Sequence, residues 1–281
     1  MRKASILGIA AFAACGFFSR PAESVSQPTR ATVRQDEVRA EPTGPVTLTK
    51  SSRVKLTRVP RVPVPSDSEG LAVYRAAKRY AGAKILVSTK TKRLWFVLRK
   101  DTLLSAPVAI GVGKNFEFNG KKYNFSTPRG RRTVLKKEPN PVWTVPEWHY
   151  FEKAVLRGLE VVMVEPKKVY PLADGTWIQM RGLEVGRVNQ FGNFWPFTPG
   201  IEIIFDGKLY VPPMNSPQRR VPDALGPVKL DMGQGYLIHG THEYNETTIG
   251  QAASHGCVRM RNEDLERLYA MVDTGTPVFI F

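Results

Sequence analysis

The chain has 281 residues, 42% of them hydrophobic, which suits one sizeable domain with a real core plus a tail and calls for no second enzyme. Its 41 Lys and Arg against 25 Asp and Glu give a net charge of +16, favouring an anionic setting such as phospholipid head groups, an acidic polymer or nucleic acid. Charge is the only argument for nucleic acid, since no RNP, zinc-finger or helix-turn-helix pattern accompanies it, and no nucleic-acid partner is expected.

The chain opens MRKASILGIAAFAACGFFSR, where Arg2 and Lys3 precede an uncharged apolar run from Ala4 to Ala14 that is too short to span a bilayer. Residues 1–15 therefore read as a secretory signal peptide, and the mature protein is expected in the periplasm or cell envelope. The end of the run, Phe12-Ala13-Ala14-Cys15-Gly16, resembles a bacterial lipoprotein cleavage box, with Phe12 where Leu is commoner. Lipidation of Cys15, which would anchor the protein to a membrane, and ordinary secretion both stay open. Exported proteins usually pair their cysteines. With Cys15 removed or lipidated, Cys257 has no partner and is either a reactive thiol or an inert buried one.

Residues 16–66 are rich in Pro, Ser, Thr and Arg, include VPRVPVP at 59–65, and read as an extended basic tether. Residues 67–82 predict one short amphipathic helix, with Ser66 or Asp67 as N-cap, Leu71, Val73, Tyr74, Ala77 and Ala81 on its apolar face, and Gly82 as the stop. From Ala83 three β-rich runs, split by the turn-like TKTK and RKD, open a mainly β domain that extends over 83–281. An aromatic-rich insertion around 131–221 is less regular. Its aromatics are assigned mainly to packing, with contact to sugar rings as the alternative.

Chemistry concentrates in YLIHGTHEYNETTIGQAASHGCVRMRNEDLERLY, which holds three of the four histidines and Cys257. GYLIHGT has the character of a strand end, which places His239 where a strand leaves the sheet. NEDLERLYAMV predicts a helix capped by Asn262, with Leu265, Leu268, Tyr269 and Val272 at helical spacing and Gly275 beyond it. The loop between them can bring a histidine to the thiol. A free cysteine is only a few per cent thiolate at neutral pH, so a neighbouring imidazole is needed to take its proton and return it to a leaving amine. Gly256 beside the cysteine lets substrate approach the backbone, where consecutive N–H groups can hold an oxyanion.

Ile238-His239-Gly240, a spacer, and then Ser254-His255-Gly256-Cys257-Val258-Arg259 resemble the signature of the L,D-transpeptidase catalytic domain, the YkuD family. The resemblance extends to ILVSTKTKRLWFVL, STPRG at 126–130, DALGPVKL at 223–230 and GTPVFIF at 275–281. It implies a β-sandwich or distorted barrel with a few short helices. It also implies a peptidoglycan L,D-transpeptidase that carries a stem tetrapeptide as a thioester, passes it to an amine and needs no cofactor. By the same resemblance Cys257 is the nucleophile, His239 the general base and Gly240 the residue whose carbonyl orients the imidazole. His255 lines the site, Gly256 and Cys257 offer oxyanion-hole N–H groups, Ser254 shapes the loop, and Arg259 shapes the site or holds a substrate carboxylate. Asp223, where the family often has Asn, and the long insertion are departures.

Rival readings are an L,D-carboxypeptidase, attachment of protein to the wall, a non-catalytic wall-binding lipoprotein, and a zinc peptidase using His239, His242, His255 and Cys257. The zinc reading lacks a His-Glu-x-x-His element, and no metal is expected.

Overall fold

The computed structural model describes residues 59–281; the signal peptide, Cys15 and the tether up to residue 58 lie outside the described residues. Helix α1 spans Ser68–Arg79, and the Asp67 carboxylate caps it by accepting a hydrogen bond from the Gly70 N–H at 2.9 Å. It ends at Arg79, before the expected stop at Gly82, and Tyr80 leaves in an extended conformation.

The run from Lys84 forms a meander, Lys84–Ser88, Arg93–Leu98 and Asp101–Pro107, as expected. Its first strand is buried along its whole length because both faces are covered. Ile85, Val87, Leu94 and Phe96 face the main core, whereas Leu86, Trp95 and Val97 face α1 through Val73, Tyr74 and Ala77. The segment before α1 also lies on this side, with the Trp95 indole N–H donating to the Pro60 carbonyl at 2.8 Å. Pro277–Ile280 joins the meander in parallel beside Lys84–Ser88, and Gly130–Thr133 closes the five-stranded sheet.

A four-stranded sheet covers the other side of the main core, in the order Val258–Arg259, Leu237–His239, Val228–Asp231, Lys136–Pro139. Its apolar face contributes Leu230, Ile238 and Val258 to the core, where Leu265 and Leu268 of a later helix join them. The domain is thus two sheets closed over one core, a mainly β arrangement in which the described residues form three α-helices.

The region around 131–221 is more ordered than its sequence suggests. Its first strands, Gly130–Thr133 and Lys136–Pro139, belong to the two main sheets. The rest builds helix α2, Glu147–Arg157, together with a three-stranded sheet and a four-stranded sheet. Two apolar clusters of its own hold it together, one around Tyr170, Ile178 and Tyr210, the other around Tyr150, Ala154 and Leu209. Its strands are two to five residues long, too short for alternation to stand out. Phe191 and Trp195 remain exposed, at 78% and 52%.

Helix α3 spans Asn262–Met271 and starts one residue earlier than predicted. Arg261, not Asn262, is its N-cap, and no side chain caps it. The Asn262 side chain is engaged elsewhere.

Candidate active site

The four-stranded sheet fixes the site through its register. Glu138, Lys229, His239 and Arg259 stand directly opposite one another on successive strands, so they form one row on the face away from the core. Two residues along, Lys136, Asp231 and Leu237 form the next row, and the same spacing sets Cys257 beside Leu237. Cys257 thus lies in the bend just before Val258–Arg259, next to the strand that ends at His239, with the two Cα atoms on the order of 8 Å apart from strand spacing and rise.

His239 ends its strand, as the sequence predicts, and is 5% exposed. Burial, with Arg259 and Lys229 on either side, lowers its pKa from 6.5 to about 4, against a smaller opposing effect of the Gly240 backbone. Its Nδ1 is buried and makes no hydrogen bond, so the bond to the Gly240 carbonyl that the resemblance implies is not formed, although the Gly240 backbone still favours the protonated ring. The imidazole is neutral at physiological pH.

Among the described residues Cys257 makes no disulfide, and it is half-buried. Protein surrounds it on most sides, and this desolvation raises its pKa, with Leu237 backbone hydrogen bonding and the Arg259 charge opposing. The thiol donates to the Gly235 carbonyl at 3.6 Å. That carbonyl is aimed by the turn joining the two central strands, where Gly233, Gln234 and Gly235 take φ of 81°, 56° and 79°.

Ser254 fastens the nucleophile turn. Its hydroxyl donates to the Cys257 carbonyl at 2.6 Å and accepts from the Gly256 N–H at 3.2 Å. This bears on the oxyanion hole expected from the sequence, because the Gly256 N–H is already engaged by Ser254 and is not free to receive an oxyanion in this arrangement. Glycine is required there on two counts, a φ of +126° and the closeness of Tyr236 and Ser126 of the STPRG segment.

His255 points to the insertion. Its Nε2 lies 3.0 Å from Glu152 Oε2 on α2, its ring stacks on Trp148 at 4.3 Å, and Phe125 meets it edge-on at 4.6 Å. Trp148, Glu152 and Phe125 were not singled out for the site from sequence, and no local pattern marks them. Arg259 donates to Thr248 Oγ1 at 3.2 Å and is partly desolvated, which lowers its pKa.

Asn262 is the other residue whose part the sequence reading missed. Its Oδ1 accepts from the Thr241 N–H at 2.9 Å and its Nδ2 donates to the Thr241 carbonyl at 3.0 Å. It holds the backbone just after His239-Gly240, and Gly226 and Gly240 pack so closely here that a side chain on either would collide with Asn262. Asp223, where the family often carries Asn, has φ of 60°, a conformation Asn and Asp tolerate better than most residues.

Among the described residues no group of three or more His, Cys, Asp and Glu side chains is arranged to hold a metal, and His239 and His255 serve separate surroundings. No described helix is long and apolar enough to cross a membrane.

The chain is similar to "Probable L,D-transpeptidase ErfK/SrfK" of Salmonella typhimurium, at 24% identity over 203 residues, 63% of this chain and 64% of that one. A shorter stretch of 54 residues is 46% identical to "Probable L,D-transpeptidase YbiS" of Escherichia coli, covering 19% of this chain and 17% of that one. The chain thus spans less than two thirds of the length of either relative. The solved catalytic domain of the E. faecium L,D-transpeptidase is similar at 14% identity with a TM-score of 0.36, over 72% of this chain and 98% of that one. The profile of the L,D-transpeptidase catalytic domain, YkuD, matches residues 82–280 and includes every strand of the site, so the chain belongs to that family.

Proposed function

We propose that this chain is a cysteine-dependent L,D-transpeptidase of the cell envelope, acting on peptidoglycan stem peptides. The observation that carries the reading is the placement of an unpaired thiol in the bend that leads into Val258–Arg259, beside the strand that carries a neutral, buried imidazole. His239, with its pKa near 4, is neutral at neutral pH and so has a nitrogen open to a proton, while its low pKa and the raised thiol pKa oppose an ion pair at rest, so the proton moves only as sulfur attacks. Sulfur attacks the carbonyl between an L-centred diamino acid and the terminal D-alanine as its proton passes to His239. D-alanine then leaves as the amine, taking that proton back, and a thioester remains. An incoming amine displaces the thiol in the reverse sequence, forming the new amide and restoring Cys257.

In this reading residues 1–15 export the chain, residues 16–58 tether it, residues 83–281 catalyse, and Cys15 is the site of lipid attachment; the expected tether ends short of residue 66, because Pro60 and Val62 already pack on the domain. The test is mass spectrometry of purified tetrapeptide muropeptides incubated with the protein. Linked dimers support transpeptidation, tripeptide alone makes the protein a carboxypeptidase, and binding without product makes it a wall receptor. Cys257→Ser should abolish turnover with little change in thermal unfolding; retained activity refutes a thiol mechanism.

A further inference from the structure

We propose that Arg132 is the anchoring cation of a carboxylate subsite beside Cys257, one that receives a side-chain or terminal carboxylate of the acyl-donor peptide. The assignment rests on the transpeptidase reading for the identity of the peptide, and on the geometry below for the subsite.

Three arginines follow the STP of residues 126–128, and the fold separates them. Arg129 is neutralised by Asp67 at 2.6 Å and Glu69 at 3.2 Å. Arg131 lies over the Tyr80 and Phe279 rings on the α1 side of its strand. Arg132 turns the other way, with its guanidinium 4.7 Å from the centroid of the Tyr236 ring and Nη1 donating to Gln234 Oε1 at 3.1 Å. Among the described residues it makes no ion pair, and its buried Nε has no hydrogen-bond partner. This cation is fixed in place by an aromatic face and a neutral amide, with its charge unmatched.

The same short turn supports both the guanidinium and the nucleophile. Gln234 binds Arg132, the next carbonyl, Gly235, accepts the thiol at 3.6 Å, and Tyr236 carries the guanidinium on its ring. The Tyr236 ring also abuts Gly256, where an added Cβ would stand 3.0 Å from it. Guanidinium and sulfur are thereby held on the order of 10 Å apart by two adjoining residues of backbone. An anionic group of a peptide lying across the thiol meets Arg132, whereas Arg259, the candidate from sequence, is partly desolvated and bonded to Thr248. A guanidinium already immobilised loses little side-chain freedom on taking up a carboxylate.

The first test needs no turnover. Cys257 in the full chain is alkylated with iodoacetate or iodoacetamide, and the modified peptide is followed by mass spectrometry. Arg132→Gln should lower the iodoacetate-to-iodoacetamide rate ratio by about threefold or more, as expected for one charge removed at this range, while Arg132→Lys retains most of it. A ratio unchanged in Arg132→Gln, or one that falls only in Arg259→Gln, overturns the proposal. The second test uses a tetrapeptide donor. Arg132→Gln should raise KM by about tenfold or more with kcat little altered, and should leave KM unchanged for a donor amidated at its carboxylates. An equal rise for both donors overturns it. If the alkylation ratio falls as expected and the wild type turns over no muropeptide, the subsite stands and the transpeptidase reading fails.

Discussion

His239 offers the most quantitative test, because its protonation is coupled to folding. Burial and its neighbours Arg259 and Lys229 hold its pKa near 4, against 6.5 for an unperturbed imidazole. Above about pH 7 the ring is neutral folded or unfolded and contributes nothing to the pH dependence. As pH falls below 6.5 the unfolded chain binds the proton first, so the folded state loses stability progressively until pH drops through 4. The full difference amounts to about 3 kcal/mol, of which about 2 kcal/mol develops between pH 7.5 and pH 5. Urea unfolding followed by tryptophan fluorescence at these two pH values measures it. Other groups titrate too, so the quantity that matters is the difference between wild type and His239→Gln, which removes this one proton site. The wild type should lose about 2 kcal/mol more than the variant on going to pH 5. Parallel losses would show that the imidazole is not desolvated as described. In the same terms, the acid limb of the acylation rate should fall below pH 5; a limb near 6.5 would refute the assigned environment.

Gly256→Ala should destabilise the domain by about 1 to 3 kcal/mol, because φ of +126° and the contacts to Tyr236 and Ser126 leave no room for a methyl group; the denaturant midpoint and the Cys257 alkylation rate both report it. Asn262→Ala removes two hydrogen bonds to Thr241 and should cost about 2 to 3 kcal/mol in the same unfolding assay, with Asn262→Asp in between because it keeps the acceptor for the Thr241 N–H. For the N-terminus, labelling with a fatty-acid analogue should mark the wild type and not Cys15→Ala. An unlabelled, wholly soluble wild type with its mature N-terminus beyond Cys15 would leave ordinary secretion.

The sequence disclosed what is local. The capping Asp67, the meander from Lys84, the strand end at His239 and the helix after Arg261 each depend on residues a few positions apart. What it hid depends on register between distant segments. Nothing in the run around His239 announces that Lys229 and Arg259 flank it, although counting back from the Gly233-Gln234-Gly235 turn along an antiparallel pair leads to Lys229. Glu152 escaped notice, and Trp148 counted only among the aromatics assigned to packing, because their partner, His255, lies about a hundred residues further along. Asn262 was assigned a capping role by its position before an apolar run; its amide instead clamps Thr241, a tertiary contact that outweighs the local preference. The expected oxyanion donor at Gly256 met a competing acceptor two residues away, the Ser254 hydroxyl.

The placement of Pro277–Ile280 bears on how the domain forms. This strand lies inside the five-stranded sheet, between Lys84–Ser88 and Gly130–Thr133, and the Phe281 carbonyl accepts from the Thr89 hydroxyl across 192 residues of sequence. A parallel pair made at such separation must close a very long loop before it gains any contact. Assembly of this sheet is therefore expected to be slow and late, with the first hairpin, Lys84–Leu98, waiting for its inner neighbour while Ile85 and Val87 stay uncovered. A chain shortened before Pro277 would leave that hairpin edge open and prone to pair with another copy.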